Sequence, residues 1–126
     1  MKGIDTNVLV RLLVGDDPDQ AERARAYVTD NAPCWINRIV LCETVWVLER
    51  LYGHSRARIA AALGQILDTR QLEIEDADAV RVAIAAVEDG HNFADVMIAI
   101  TNRSHGCDGT ATFDRKASQR EGFEPL

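Results

Sequence analysis

The chain has 126 residues, enough for one hydrophobic core and little more. Hydrophobic residues make up 47% and charged residues 27%, the balance of a folded globule rather than a disordered tail or a fibre. With 14 Lys and Arg against 20 Asp and Glu, the net charge of -6 excludes a protein that coats nucleic acid by bulk charge, so any such contact must be local.

No stretch approaches the roughly 20 apolar residues that span a bilayer, and the opening Met-Lys-Gly-Ile-Asp places a carboxylate where a signal peptide is apolar. The expectation is a cytoplasmic protein with no membrane partner. Cys34, Cys42 and Cys107 are odd in number, lack Cys-x-x-Cys spacing and have apolar neighbours, so they read as buried thiols rather than disulfides or zinc ligands.

In chain order, Met1 to Ile4 is a short strand, and the apolar run Val8, Leu9, Leu12, Leu13 after Asp5 has helical spacing. Gly15-Asp16-Asp17-Pro18 turns the chain into a second helix running to about Val28, with Pro18 at its first position. Cys34 to Ile36 reads as a strand, Asn37 as the cap of a helix reaching Tyr52, and Ser55 as the cap of another ending near Thr69. A short strand over Gln71 to Glu75, helices over Asp76 to Glu88 and Ala94 to Ser104, a strand over Gly109 to Phe113, a short helix after Asp114 and a last strand over Phe123 to Leu126 complete the chain. Strands alternating with helices predict an α/β domain, residues 1–126, with a central parallel sheet flanked by helices.

Most of the acids are solvated in turns or on polar faces; four are not so easily explained. Glu43 has Ile39, Val40, Trp46 and Val47 as its helical neighbours, a carboxylate in an apolar stripe. An ion pair with Arg50 or local exposure of the stripe is the plain account, and a bound cation the functional one. Asp5 ends the first strand, where ligands collect in open parallel sheets, and Asp114 repeats the pattern; either is equally a helix N-cap. Asp95 follows Asn92 by three residues, as in a capped first turn, yet shares a face with Ile98, Ala99 and Asn102.

Should these four acids meet at one sheet edge, each carboxylate pair about 5 Å apart repels by roughly 3 kcal/mol at an effective dielectric near 20. Such a meeting requires a cation. Hard oxygen ligands without His or Cys favour Mg²⁺ or Mn²⁺, and a hydrated Mg²⁺ bound by acids suits phosphodiester hydrolysis.

Gly3-Ile4-Asp5-Thr6-Asn7-Val8-Leu9-Val10-Arg11, Cys42-Glu43-Thr44-Val45-Trp46-Val47-Leu48, Asn92-Phe93-Ala94-Asp95-Val96-Met97-Ile98-Ala99 and Thr112-Phe113-Asp114-Arg115-Lys116-Ala117 resemble the motifs of PIN-domain ribonucleases, and among these the VapC toxins of bacterial toxin-antitoxin pairs. The resemblance runs through essentially the whole chain in order. It implies a Mg²⁺- or Mn²⁺-dependent endoribonuclease in which Asp5, Glu43, Asp95 and Asp114 match the acidic quartet, and Thr6, Asn7 and Thr112 match small polar positions that orient the acids or their waters. It also implies a homodimer silenced by a cognate antitoxin whose tail enters the acidic groove. Many relatives carry an acid where this chain has Asn92, which puts a second metal ion in doubt.

Arg11, Arg38, Arg115 and Lys116 are the local cations nearest these motifs and the candidates for gripping RNA, with solvated surface charges or counterions to the acids as the plain account. Leu41, Val45, Leu48 and Tyr52 form a second apolar stripe opposite Glu43, better explained by packing within the domain than by a dimer or antitoxin surface. His54, His91 and His105 are isolated near Gly-containing turns and are assigned no catalytic work. Two other readings compete: a phosphoacceptor receiver-type signalling domain, which lacks here the paired acids after the first strand, and a catalytically silent PIN-like scaffold, disfavoured because all four acids are present.

Overall fold

The computed structural model describes all residues from Met1 to Leu126 and places every expected element in the expected order. Two compact units emerge, Met1–Ala77 and Asp78–Leu126. The first holds β1 (Lys2–Gly3), α1 (Thr6–Val14), α2 (Pro18–Asn31), β2 (Cys34–Ile36), α3 (Arg38–Arg50), α4 (Arg56–Asp68) and β3 (Leu72–Ile74). The second holds all but the first residue of α5 (Ala77–Glu88), then α6 (Phe93–Ser104), β4 (Thr110–Thr112), α7 (Arg115–Ser118) and β5 (Phe123–Pro125).

The fold is α/β with parallel strands, as the alternation of elements predicts. The strands of the first unit form one sheet of order β1-β2-β3, with Lys2 opposite Cys34 and Cys34 opposite Leu72. Those of the second form a parallel pair, β4 with β5. In the first unit the carboxyl ends of three neighbouring strands therefore deliver Asp5, Asn37 and Glu75 to one edge, the place where an open parallel sheet presents its chemistry.

Helix starts follow from short polar side chains that satisfy first-turn amides. Asp5 accepts from Val8 N, Asp17 from Gln20 N, Asn37 from Val40 N, Ser55 from Arg58 N, Asn92 from Asp95 N and Asp114 from Ala117 N. Each such cap stabilises its helix by about 1 kcal/mol. Gly15, at φ 68°, ends α1 in the left-handed region with its N–H on the Arg11 carbonyl. The second helix runs three residues past Val28, because Thr29, Asp30 and Asn31 continue the backbone ladder without an apolar side chain to announce it.

Leu9, Ile36, Leu41, Leu48 and Leu63 are fully buried in the first unit, and Phe93, Met97, Val80 and Val96 in the second. On α3 local exposure of the Glu43 stripe, one of the plain accounts, is what the structure shows. The face bearing Glu43 is only partly buried: Val40 is buried and Val47 half-buried, but Ile39 is 65% and Trp46 57% exposed, and Glu43 itself is exposed. The opposite face, Leu41, Val45 and Leu48, is core. Two apolar faces compete for the interior, and the one without a carboxylate wins, since burying an unpaired charge costs several kcal/mol. A departure is Cys107, which is exposed, whereas Cys34 is buried and Cys42 half-buried. All three are free thiols, and burial pushes the Cys42 thiol up.

Candidate active site

The first unit carries two of the four singled-out acids. Asp5 leaves β1 and caps α1, its Oδ1 accepting from Val8 N at 3.1 Å, while Oδ2 has no protein donor. Glu43 sits on the second turn of α3, and its Oε2 accepts from Thr6 Oγ1 at 2.9 Å. Thr6 opens the helix that Asp5 caps, so a single hydroxyl ties the first motif to the second across 37 residues of chain. Arg50 forms no ion pair with Glu43; exposure and the Thr6 hydroxyl account for the charge instead. Asn7 is exposed and lines the same groove as Asp5.

The second unit carries the other two. Asp95 lies in the first turn of α6, where its backbone N–H is taken by Asn92 Oδ1 at 3.0 Å. Its carboxylate is half-buried and no protein donor reaches it. Burial, and then the charge of Asp114, hold the Asp95 carboxyl above the usual carboxylate range. Asp114 follows β4, caps α7 through Oδ1 at 2.9 Å from Ala117 N, and donates its own N–H to Thr112 Oγ1 at 3.0 Å. Thr112 thus steadies the Asp114 backbone, whereas Thr6 acts on a carboxylate directly.

The family model described as PIN domain matches residues 3–122. The chain belongs to the PIN-domain family. PIN domains are generally nucleases and typically use divalent metal ions, so this chain carries the fold of a hydrolase acting on nucleic acids. Comparison with curated proteins and with solved structures gives no significant match.

The donor chemistry of this PIN domain suits a hard divalent ion. Asp5, Glu43, Asp95 and Asp114 offer carboxylate oxygens without protein partners, and none of the four is paired with Lys or Arg. No three of its His, Cys, Asp and Glu side chains stand grouped as a ready-made cage. Mg²⁺ does not need one: it keeps several waters and binds through one or two carboxylates. Asp95 and Asp114 fit that demand best, because burial, and then the Asp114 charge, hold the Asp95 carboxyl up, and a bound cation favours its ionised form against both. Asn92 caps α6 as an aspartate would, without adding a charge beside Asp95.

The cations divide into two kinds. Arg11 donates to Gln20, Asp16 and Tyr52, and Arg38 meets Glu75 at 3.2 Å and Asp76 at 3.8 Å, so both are held by carboxylates outside the four. Arg115 and Lys116 open α7, exposed and without an ion pair. The sequence reading passed over Gln20, Arg23 and Tyr27, which line the groove containing Asp5. Their spacing on one face of α2 was visible, but polar residues on a helix ordinarily mean only solvation.

Proposed function

We propose that this PIN domain, residues 1–126, is a Mg²⁺- or Mn²⁺-dependent endoribonuclease of the VapC type, the toxin of a bacterial toxin-antitoxin pair. The observation that carries the reading is the Thr6–Glu43 bond: it orients a carboxylate with a neutral hydroxyl and leaves its charge unneutralised beside the motif that contains Asp5. Glu75, by contrast, is neutralised by Arg38.

In this reading Asp5, Glu43, Asp95 and Asp114 hold the metal and its waters. The divalent ion, when bound, supplies a water of lowered pKa and neutralises charge developing on the phosphate. Thr6 fixes the Glu43 carboxylate, Val8 N–H fixes that of Asp5, and Asn92 and Thr112 set the backbones of Asp95 and Asp114. No histidine takes part, so the expected products carry 5′-phosphate and 3′-hydroxyl ends; a 2′,3′-cyclic phosphate would sink this mechanism. Arg115 and Lys116 are free to meet RNA phosphates, while Arg11 and Arg38 serve first as scaffolding.

The exposed Ile39 and Trp46 flanking Glu43 favour a protein partner, a second copy in a homodimer or the cognate antitoxin, since soluble monomers seldom leave such side chains together in water. A cytoplasmic location accords with this role, and no helix is long and apolar enough to cross a membrane.

The deciding experiment incubates the antitoxin-free protein with structured RNAs in Mg²⁺ or Mn²⁺, with an EDTA control and the Asp5→Asn and Asp95→Asn variants. Metal-dependent cleavage lost in either variant is the expected result. A folded protein that binds metal but cuts none of a broad RNA panel would favour the silent scaffold, and uptake of acetyl phosphate label the receiver.

A further inference from the structure

Helices α1 and α2 flank an open groove of ≈ 480 Å³ whose lining includes Asp5. That volume falls in the roughly 300–1,000 Å³ range of small-ligand sites and accommodates a nucleotide. From α2 come Gln20, Arg23, Ala24 and Tyr27, at i, i+3, i+4 and i+7, one face of the helix. Ala24 is buried and small, which leaves room between the longer side chains on either side of it.

The two arginines of the groove differ in freedom. Arg11 is locked: its Nε donates to Gln20 Oε1 at 2.7 Å, and its Nη1 to Asp16 Oδ1 at 3.1 Å and Tyr52 Oη at 3.2 Å. Tyr52 in turn donates to Asp16 Oδ2 at 2.9 Å, closing the network that holds this wall rigid. Arg23 is loose. Its only carboxylate neighbour is Asp19 at 3.9 Å, with both side chains largely exposed, a pair that contributes little and yields readily to a phosphate. Tyr27, one turn further along, is 42% exposed and its hydroxyl has no protein partner.

A loosely held guanidinium one turn from an exposed aromatic ring, in a groove that reaches a carboxylate assigned to phosphodiester chemistry, is the pairing that holds single-stranded nucleic acid. The cation takes the backbone and the ring takes a base face. We propose that Arg23 and Tyr27 form a nucleotide subsite: Tyr27 stacks a base, and Arg23 meets the phosphate, of an RNA residue adjoining the bond cut at Asp5. The subsite rests on the endoribonuclease reading and deepens it. In a chain of net charge -6, bulk attraction cannot hold RNA, so grip must come from points such as this one. Stacking on one ring tolerates any base, so the subsite supplies affinity and register rather than sequence choice.

Tyr27→Ala, Tyr27→Phe and Arg23→Gln test the proposal, with cleavage kinetics in Mn²⁺ and with binding of a short, mixed-sequence, fluorescein-labelled RNA in Ca²⁺. Tyr27→Ala raises KM about five- to tenfold, the lower range for loss of one base-aromatic stack, with kcat changed less than about twofold, and Tyr27→Phe restores it. Arg23→Gln makes the salt dependence of binding shallower by about 0.7, one single-strand phosphate contact. Photocrosslinking of the same RNA carrying 5-iodouridine marks the peptide containing Tyr27. Wild-type protein that cleaves RNA while Tyr27→Ala leaves KM, affinity and the crosslink pattern unchanged overturns the subsite and spares the endoribonuclease reading. Wild-type protein that neither binds nor cuts RNA overturns both.

Discussion

Asp5 and Glu43, in Met1–Ala77, are carboxylates with donors: a backbone amide for one and the Thr6 hydroxyl for the other. Asp95 and Asp114, in Asp78–Leu126, are a carboxylate pair in tension, with no donor on the Asp95 side chain and its carboxyl held up by burial and by its neighbour's charge. Asp114 is oriented by the amide it caps, as Asp5 is, so the contrast is sharpest between Glu43, fixed in advance by Thr6, and Asp95, poised to gain from a cation. A divalent-metal site draws on both properties, since orientation and unmet negative charge each add to the affinity for a cation. The contrast also separates what a substitution does to activity from what it does to the fold.

The largest effect tests whether both pairs are catalytic. Asp5→Asn and Asp95→Asn should each lower kcat/KM for RNA cleavage about a thousandfold, the several kcal/mol expected when a metal ligand is lost. Asp5→Asn keeps the α1 cap, because Asn caps as well as Asp, so melting in EDTA should be unchanged. A loss at Asp95 with full activity in Asp5→Asn would break the comparison and make the first pair structural.

Metal-dependent stabilisation comes next. Mn²⁺ at about a hundred times its dissociation constant should stabilise the folded protein by about 2.7 kcal/mol, a rise in Tm of about 10 °C by scanning fluorimetry. Asp95→Asn should abolish most of the rise and Thr6→Val only a small part of it. Equal losses in the two variants would mean that the pairs do not differ in the way described.

A smaller effect separates the two threonines. Thr6→Val removes the donor to Glu43 and should lower kcat/KM about tenfold, with Thr6→Ser restoring it. Thr112→Val touches only the Asp114 backbone N–H; it should cost about 1 kcal/mol in urea denaturation and change the metal affinity little.

The outline of the fold was legible because its punctuation is local. Asp5, Pro18, Asn37, Ser55, Asn92 and Asp114 mark helix starts by chemistry that acts within four residues, and Gly15 marks an end the same way. That Leu41, Val45 and Leu48 pack inside the domain was legible as a stripe without a charge, whereas the split of the Glu43 stripe was not: Val40 is buried while the equally apolar Ile39 and Trp46 are exposed. Motif resemblance picked out Thr6 as a position that orients acids; that it reaches Glu43 is a fact of tertiary structure. Partners lying far along the chain were equally invisible: Arg38 with Glu75, and Tyr52 with Arg11 and Asp16, look in the sequence like any surface charge and any surface tyrosine.

The smallest effect is the most specific to the second pair, and it appears only without metal. Burial and the Asp114 charge raise the Asp95 carboxyl above its ordinary value of 3.8, so the native state holds that proton more tightly than the unfolded chain does. The resulting contribution favours folding while Asp95 is protonated, and is lost as pH climbs from the ordinary value through the raised one. At neutral pH in EDTA the ionised wild type should therefore be slightly less stable than Asp95→Asn, by about 0.5 kcal/mol or less because the group is only half-buried and solvent screens it. Acidification should reverse or close that gap, and Asp114→Asn should shrink it at neutral pH by removing the neighbouring charge. An Asp95→Asn variant less stable than wild type at neutral pH without metal would mean that the carboxylate has a structural partner, and that the tension in the second pair is not what prepares it for a cation.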